Sequence, residues 1–296
     1  MPGLTLLIDS SSLIYRSHFA LPDSIRAPDG TIVSAAYGFL SMLERLVADL
    51  RPSHLACCLD EDWRPDWRVA LVPEYKSHRV ALAEEQIDEW VEPQTDIVLR
   101  ILKLARVAAV GSAGCEAEDV IATLARDIHG DIAVVSGDRD LFQMVRDPNV
   151  WVLYPRRGVS DLVRVDEAEI RRRYGIDGRR YADFAVLRGD PSDGLPGVPG
   201  IGEKTASMLV AKYGTLEEIV RASEGARAGP LAKVAANADY VKRAEKVVRL
   251  KADCHVGDHD LTVGRSPGST LKKVARDYGL SGPVERLVTA LAGAAS

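Results

Sequence analysis

The hydrophobic pattern of the chain alternates between short apolar runs and longer segments with helical spacing. Five runs of four to six residues are bounded by polar or small residues, as buried strands are. We therefore predict strands at Leu4–Ile8, His54–Leu59, Val107–Val110, Ile132–Val135 and Val150–Tyr154. Runs that are apolar on both faces are typical of a parallel sheet covered by helices on each side.

Helical spacing is clearest in Ala35–Leu50, which ends before Arg51-Pro52. The further predicted helices are Glu85–Ala105, Val120–Ile128, Asp166–Tyr174, Tyr181–Leu187 and Glu203–Tyr213, with mostly helical chain from Thr215 onward. Pro93 is expected to break or kink the helix that contains it. Strands that alternate with helices in this way predict an α/β fold.

Acidic residues recur where predicted strands end and where one helix begins. The strand-end acids are Asp9, Asp60, Asp138 and Asp140, and the helix-start acids are Glu116, Glu118 and Asp119. The carboxyl ends of parallel strands meet at one edge of a sheet, where ligands bind. Carboxylates gathered there would raise one another's pKa unless cations compensate them, and a divalent metal is the simplest source. The alternative is ordinary helix-start acids and a polar turn.

The stretch Glu61–Arg79 loses periodicity and interleaves aromatic with basic residues. These residues are Trp63, Arg64, Trp67, Arg68, Tyr75, Lys76, His78 and Arg79. Aromatic side chains stack on bases and basic ones neutralise phosphates, so the composition indicates a nucleic-acid surface. The alternative is a partly buried loop whose tryptophans pack on the body of the protein.

A glycine-rich stretch from Gly189 contains two further loop acids, Asp190 and Asp193. It continues to Thr205 and could be misread as a phosphate-binding P-loop, but Glu203 separates the last glycine from Lys204. We interpret Gly200-Ile201-Gly202 as a hairpin between two helices. Backbone amides at such a helix start can bind a phosphate, and Lys204 adds charge. The alternative is a plain helix–helix turn.

Composition is consistent with a large α/β domain, since 46% of the 296 residues are hydrophobic. No signal peptide or membrane-spanning run is apparent, and the four cysteines show neither CxxC spacing nor disulfide-like density, so we expect a cytoplasmic protein without disulfides. The net charge of −5 does not exclude a nucleic-acid partner. If nine acids belong to a metal site, the remaining 34 face 38 basic residues.

The ordered motifs LLIDSSSLIYR, AAYGFL, LDEDWR, EYKSHR, GCEAEDVIATLA, VVSGDRDLFQM and LRGDPSDGLPGVPGIGEKTA resemble a known family. It is the 5′-nucleases of the flap-endonuclease group, in particular the 5′→3′ exonuclease domain of bacterial DNA polymerase I. The resemblance implies a mixed, largely parallel central sheet flanked by helices. This PIN-like nuclease core would cover residues 1–185, with a helical arch near 61–95. It also implies a helix-hairpin-helix DNA-binding module and helical region over 186–296.

Carried over residue by residue, the resemblance implies specific roles. The implied metal ligands are Asp9, Asp60, Glu116, Glu118, Asp119, Asp138, Asp140, Asp190 and Asp193, with Asp138 and Asp140 between the ions. The implied catalytic residues are Lys76, Arg79 and Asp138. The implied DNA-binding residues are Tyr15, Arg16, Tyr37, Arg64, Arg68, Lys76, Arg79, Gly200, Gly202, Lys204 and Thr205. Two or more Mg²⁺ or Mn²⁺ ions are implied, and K⁺ at the hairpin turn.

The implied function is a structure-specific 5′-nuclease that hydrolyses DNA at flaps, nicks, gaps or 5′ ends in replication and repair. The protein would be a monomer near the nucleoid, acting in one pathway with DNA polymerase I and ligase and not on membranes. Two positions depart from the family pattern. Glu118 replaces the usual aspartate, so its longer side chain would reach a metal directly or through water. Gly194 replaces the usual asparagine, which removes an amide from the Asp193 loop.

Two other functions fit parts of the pattern. A PIN-type ribonuclease shares an acidic site on a similar sheet, but such domains are shorter and lack the hairpin after Asp193. A non-catalytic protein that binds branched DNA could retain the whole fold. Metal-dependent cleavage tests the second alternative, and a comparison of RNA with DNA flaps tests the first.

Overall fold

The computed structural model describes residues 3–83 and 87–295, which contain a six-stranded sheet. Its strands are β1 (Thr5–Asp9), β2 (His54–Cys58), β3 (Ala108–Val110), β4 (Ile132–Val135), β5 (Val150–Pro155) and β6 (Leu162–Val165). The order across the sheet is β3-β2-β1-β4-β5-β6. The first five strands are parallel and β6 is antiparallel to β5. The largely parallel sheet predicted from the sequence is confirmed.

Helices surround this sheet. The first seven are α1 (Ser10–Ala20), α2 (Ser34–Leu50), α3 (Asp66–Leu71), α4 (Ser77–Ala83), α5 (Ile87–Ala105), α6 (Ala117–Asp127) and α7 (Glu167–Tyr174). The others are α8 (Tyr181–Arg188), α9 (Glu203–Tyr213), α10 (Leu216–Ser223), α11 (Gly229–Ala236), α12 (Ala238–Val248), α13 (Leu271–Asp277) and α14 (Ser281–Ala294). None of these described helices is long and apolar enough to cross a membrane.

Two hydrophobic cores lie on opposite faces of the sheet. In β1, Leu7 packs with α6, α8, α9 and α12, whereas Leu6 and Ile8 pack with α1, α2, α5 and α14. Successive strand residues point to opposite faces, so one fully buried strand contributes to both cores. Helix α14 packs against α2, and α13 packs against α5 and α14, so the end of the chain returns to the layer built by its beginning.

Three predictions of secondary structure need correction. Strand β6 was missed, because only four residues separate the preceding turn from the N-cap of α7 at Asp166. Pro93 lies inside α5 and does not end it. The aperiodic stretch before Arg79 contains the short helices α3 and α4. The predicted start of the second helix at Glu85, and part of the predicted arch, lie outside the described residues.

The expectation of a protein without disulfides is wrong, because Cys115 and Cys254 are bonded to each other across 139 residues of sequence. Two cysteines so far apart in sequence form no spacing motif from which the disulfide could be predicted. The fold brings the two together, since the amide of Cys254 donates to Thr123 Oγ1 on α6, 3.1 Å away. Cys57 and Cys58 are free and buried.

Cys254→Ser is expected to lower the free energy of unfolding by about 2–4 kcal/mol, because the disulfide closes a long loop in the unfolded chain. Denaturant unfolding of oxidised protein measures the loss. Reductant should destabilise the wild type to the level of the variant and leave the variant unchanged. A wild type that is insensitive to reductant, with four alkylatable thiols when unfolded without it, would contradict the bond.

Candidate active site

A cleft of about 1040 Å³ opens at the carboxyl edge of the parallel strands. Six of the predicted acidic ligands line it, namely Asp9, Asp60, Glu116, Glu118, Asp138 and Asp190. Lys76 and Arg79 line the same cleft. These predicted acids therefore lie together, because β1, β2 and β4 end side by side and place their acids at one edge of the sheet.

Asp9 ends β1 and caps α1. Its Oδ1 accepts from the Ser12 amide (3.0 Å) and its Oδ2 from the Ser136 hydroxyl (2.5 Å). Burial, and then the charge of Asp60, raise the pKa of Asp9 to about 7. Asp60 is fixed by a bond from the Ala117 amide to its Oδ1 (2.7 Å), which ties the end of β2 to the start of α6.

Glu116 is the N-cap of α6 and accepts from three side chains. Its Oε1 accepts from the Tyr75 hydroxyl (2.7 Å) and from Arg68 Nη1 (2.9 Å), and its Oε2 from Lys76 Nζ. Burial raises the pKa of Glu116, while Lys76 and Arg68 oppose the rise. For Glu118, burial and the charge of Glu116 raise the pKa well above its ordinary value.

Three predicted ligands lie behind the cleft and are not among its lining residues in the described chain. Asp119 is fully buried in an ion pair with Arg68. Asp140 is buried at the start of a short 3-10 helix, and burial, then the charge of Asp138, raise its pKa. Asp193 pairs with Arg79 (2.9 Å). Asp119 and Asp193 therefore pair with arginines, whereas Asp140 is set apart from the cleft by its burial.

The Asp193 loop is supported without the missing family asparagine. Gly194 has a φ of +70°, and a Cβ there would clash with the carbonyl oxygen of Glu74. Glycine is therefore required at this close approach. The Lys76 backbone amide also donates to the Asp193 carbonyl (2.9 Å). This bond joins the loop that contains Asp190 and Asp193 to the basic stretch Glu61–Arg79.

The basic stretch divides into two groups. Lys76 has a left-handed φ of +49° and directs its ammonium into the acids, and Arg79 is partly exposed beside Asp193. Arg64 and Arg68, which were predicted to contact DNA, bind other groups of the protein. Arg64 donates to the carbonyls of Tyr75 (2.6 Å) and Pro73, and the Arg68 side chain is 1% exposed. Arg68, which was predicted to contact DNA, is therefore too buried to do so in this structure.

The remaining predicted DNA contacts differ in position. Tyr15 lines the cleft and is 38% exposed, and Arg16 lies near Gly137 at its rim. Tyr37 is half-buried against the core around α2 and does not line the cleft within the described chain. Sequence reasoning missed Phe19, an exposed cleft residue one helical turn after Tyr15. Its spacing from Tyr15 on α1 was the available signal.

The hairpin has the predicted position before α9. Gly200 has a φ of +76°, and its carbonyl accepts from Lys233 Nζ (2.9 Å). Gly202 is the N-cap of α9, with an ordinary φ of −91°, and a Cβ on it would have no atom within 4 Å in the described chain. Lys204 is exposed and Thr205 half-buried in the first turn. The amides of this turn therefore open to solvent, as phosphate binding requires.

Basic side chains of the protein already neutralise part of the negative charge of the acidic residues at the cleft. Within residues 3–83 and 87–295, no three His, Cys, Asp or Glu side chains are arranged so that they could hold an ion as they stand. The Lys76 ammonium and the Arg68 guanidinium lie among the acids of α6 instead. The pKa values of Asp9 and Glu118 are raised first by burial and then by neighbouring carboxylates, so the cleft remains short of positive charge.

This shortage predicts that the metal-free protein loses stability as the pH rises. The folded state keeps a proton on Asp9 that the unfolded chain has released between about pH 4 and 7. The free energy of unfolding should therefore fall through that window, by at most about 1.4 kcal/mol per pH unit for one group. Thermal unfolding in EDTA from pH 5 to 8 measures this, and Asp9→Asn should flatten the slope. A melting temperature that rises with pH would contradict the account.

Two family models together match most of the chain. Residues 4–175 match the 5′–3′ exonuclease N-terminal resolvase-like domain, and residues 176–266 match the 5′–3′ exonuclease C-terminal SAM fold. This chain belongs to the 5′–3′ exonuclease family. The predicted family, fold class and enzyme class, a nuclease, are confirmed.

Relatives of similar length include the 5′–3′ exonuclease of Streptomyces coelicolor, 46% identical over 97% of this chain and 99% of that protein. The 5′–3′ exonuclease of Mycobacterium tuberculosis is 41% identical, with 97% of both chains covered. DNA polymerase I of Mycobacterium bovis is 39% identical over 84% of this chain, but only 27% of the polymerase is covered. The family therefore includes both free-standing proteins and polymerase domains.

Solved structures with this fold include the flap endonuclease of bacteriophage T5 in a complex with DNA and metal ions. It is 15% identical, with a TM-score of 0.69 over 99% of both chains. Human GEN1 in complex with Holliday junction DNA has a TM-score of 0.62 at 16% identity, covering 97% of this chain and 71% of GEN1.

Proposed function

We propose that this nuclease hydrolyses DNA phosphodiesters near junctions of single and double strands, as a flap endonuclease and a 5′→3′ exonuclease. The observation that carries the proposal is one cleft that joins acids from three parallel strands and α6 with Lys76 and Arg79. The T5 flap endonuclease, which has the same fold, is known with DNA and metal ions. A cleft with both signs of charge can bind cations and a phosphodiester together.

The residues fit divalent metal ions of the Mg²⁺ or Mn²⁺ type. Every candidate ligand on the cleft is a carboxylate, and oxygen-only sites suit these ions better than zinc. Asp9, Asp60, Glu116 and Glu118 would hold one ion, and Asp138 and Asp190 would face a second. When bound, two such ions supply an activated water and stabilise the leaving oxygen. Lys76 must leave Glu116 for the first ion to bind there, because its ammonium lies on Oε2.

The chain's own residues would position the phosphodiester. Arg79 is held by the Ser192 carbonyl (2.8 Å) and by Asp193, so its guanidinium stands at the rim next to the loop that contains Asp190 and Asp193. Lys76 is fixed by its backbone bond to Asp193. A lysine displaced from Glu116 would be free to neutralise the scissile phosphate. Tyr15 would stack on an unpaired base beside them.

The hairpin would bind the duplex arm through backbone amides at the start of α9. The implied K⁺ does not fit at the Gly200 carbonyl while that oxygen accepts from the Lys233 ammonium. Lys233 already supplies a positive charge to the turn, and Lys204 adds another. We further propose that the chain divides into two parts at residue 185 and that the protein is a monomer. We also propose that it acts in one pathway with DNA polymerase I and ligase.

Gly202→Val is expected to weaken binding of long duplex arms by about tenfold and to lower the melting temperature less than Gly200→Ala does. The valine meets open space and an ordinary φ, so the turn is not strained, but its side chain blocks a phosphate. Gly200→Ala is the matched control and should instead lose stability, because its φ is +76°. Affinity against arm length is the measurement, and an equal deficit for short and long arms would exclude phosphate binding here.

A substrate series tests the function itself. With Mg²⁺, a 5′-labelled DNA flap should be cut near the junction, a nicked duplex should lose nucleotides from its 5′ end, and EDTA should stop both reactions. Cleavage of RNA but not DNA flaps would favour the PIN-type ribonuclease. Tight junction binding without cleavage in Mg²⁺ or Mn²⁺ would favour the non-catalytic alternative.

A further inference from the structure

Arg68 is a buried guanidinium that joins three parts of the molecule. It lies on α3, and its Nε donates to the Val247 carbonyl at the end of α12 (3.1 Å). Its Nη1 donates to Glu116 (2.9 Å) and to Asp119 (2.8 Å), and its Nη2 donates to Asp119 (2.8 Å). The Trp67 ring covers the guanidinium at 4.6 Å. Such a fork satisfies planar carboxylates in a way that lysine cannot.

Asp119 has no acceptor position left for a metal ion. A carboxylate offers about four lone-pair positions on its two oxygens. Its Oδ1 accepts from Arg68 Nη2 and from the Lys251 amide, both at 2.8 Å. Its Oδ2 accepts from Arg68 Nη1 (2.8 Å) and from the Glu116 amide (3.3 Å). Its four positions are therefore filled by protein donors, and the side chain is fully buried.

The two glutamates of α6 differ from Asp119 in this respect. Both line the cleft. One oxygen of Glu116 is held by Arg68 and Tyr75, which leaves the other directed to the Lys76 ammonium. Glu118 lies 3.9 Å from Arg68, beyond hydrogen-bond distance. The guanidinium thus holds the back of the cluster and leaves its front open to a cation.

We propose that Arg68 is a positioning residue for the metal site and that Asp119 is its anchor rather than a metal ligand. This inference rests on the proposed metal dependence. Arg68 fixes Asp119 on the buried side of α6 and fixes one oxygen of Glu116, so that Glu116 Oε2 and Glu118 face the cleft. Because the same guanidinium also holds Val247, it ties this orientation to the helical module that carries the hairpin.

Binding of Mn²⁺ alone, measured by calorimetry without DNA, separates a ligand from an anchor. Glu118→Gln should weaken Mn²⁺ binding at least tenfold. Asp119→Asn should stay within threefold of the wild type, although its melting temperature falls. Arg68→Lys should weaken binding about tenfold without removing any ligand. The double variant Arg68→Lys, Asp119→Asn should bind Mn²⁺ within threefold of Arg68→Lys alone, because the second substitution removes no metal ligand.

An Asp119→Asn loss equal to that of Glu118→Gln would make Asp119 a ligand and overturn the inference. Wild-type affinity in Arg68→Lys would remove its positioning role. If Asp119→Asn does not fold, Asp119→Glu keeps the charge for Arg68 and must also stay within threefold. Failure of the nuclease function would appear separately, as a wild type that binds Mn²⁺ but cuts no flap. A wild type that binds no Mn²⁺ would overturn both.

Discussion

Asp138→Asn should lower the single-turnover rate of flap cleavage by at least about 10²-fold while changing affinity for the junction less than twofold. Asp138 lines the cleft between the acids of β1 and the Asp190 loop, so its charge acts on both proposed ions. Its Oδ1 accepts from the Asp140 amide (2.8 Å), and asparagine can keep that bond. The substitution therefore removes charge and preserves the turn. We expect duplex affinity to depend on basic residues and backbone amides elsewhere.

The matched control is Asp49→Asn, which makes the same chemical change at an exposed ion pair with Arg45 on α2. It should leave the cleavage rate unchanged. Rates at saturating enzyme and Mg²⁺, with affinity measured in Ca²⁺, separate the two effects. Near-normal turnover in Asp138→Asn at saturating Mg²⁺ would remove this residue from the site.

Replacing Lys76 and Arg79 together with alanine should slow cleavage by at least about 10³-fold and weaken duplex binding by much less. Both residues stand over the cleft and would meet charge that changes during the reaction, where each lost contact costs about 10²–10³-fold. The phosphate contacts proposed for the hairpin would remain. Loss of the ammonium from Glu116 should also favour Mn²⁺ binding, because the ion no longer competes with Lys76.

Lys272 and Lys273 provide a control of equal charge, since both are exposed on α13 in the layer around α2. Their double alanine variant should cut at the wild-type rate. If the Lys76 and Arg79 variant lost duplex affinity in proportion to its rate, the two residues would be docking contacts only.

The acidic residues at the carboxyl edge of the sheet were predictable because each follows a recognisable strand in the sequence. Asp9 and Asp60 follow apolar runs, and parallel strands place such residues at one edge without further information. The hairpin was predictable for the same reason, since glycines directly before a helical pattern define a turn. In both cases the elements adjoin the functional residues in sequence.

The contacts that the sequence did not predict depend on long-range packing. Arg68 stands in an aperiodic stretch of mixed aromatic and basic residues, and its partners Asp119 and Val247 lie far along the chain. Composition cannot distinguish an arginine for DNA from one buried among carboxylates. The disulfide and the bond from Lys233 to the hairpin join residues from separate elements in the same way.

The central claim is that the carboxylates of the cleft hold the ions used for cleavage. Anomalous diffraction from crystals grown with Mn²⁺ locates those ions directly. The account predicts peaks in the cleft, one among Asp9, Asp60 and the α6 glutamates and one between Asp138 and Asp190, with the Lys76 ammonium displaced from Glu116. Peaks confined to other surfaces, in a protein that still cuts DNA flaps with Mn²⁺, would contradict it.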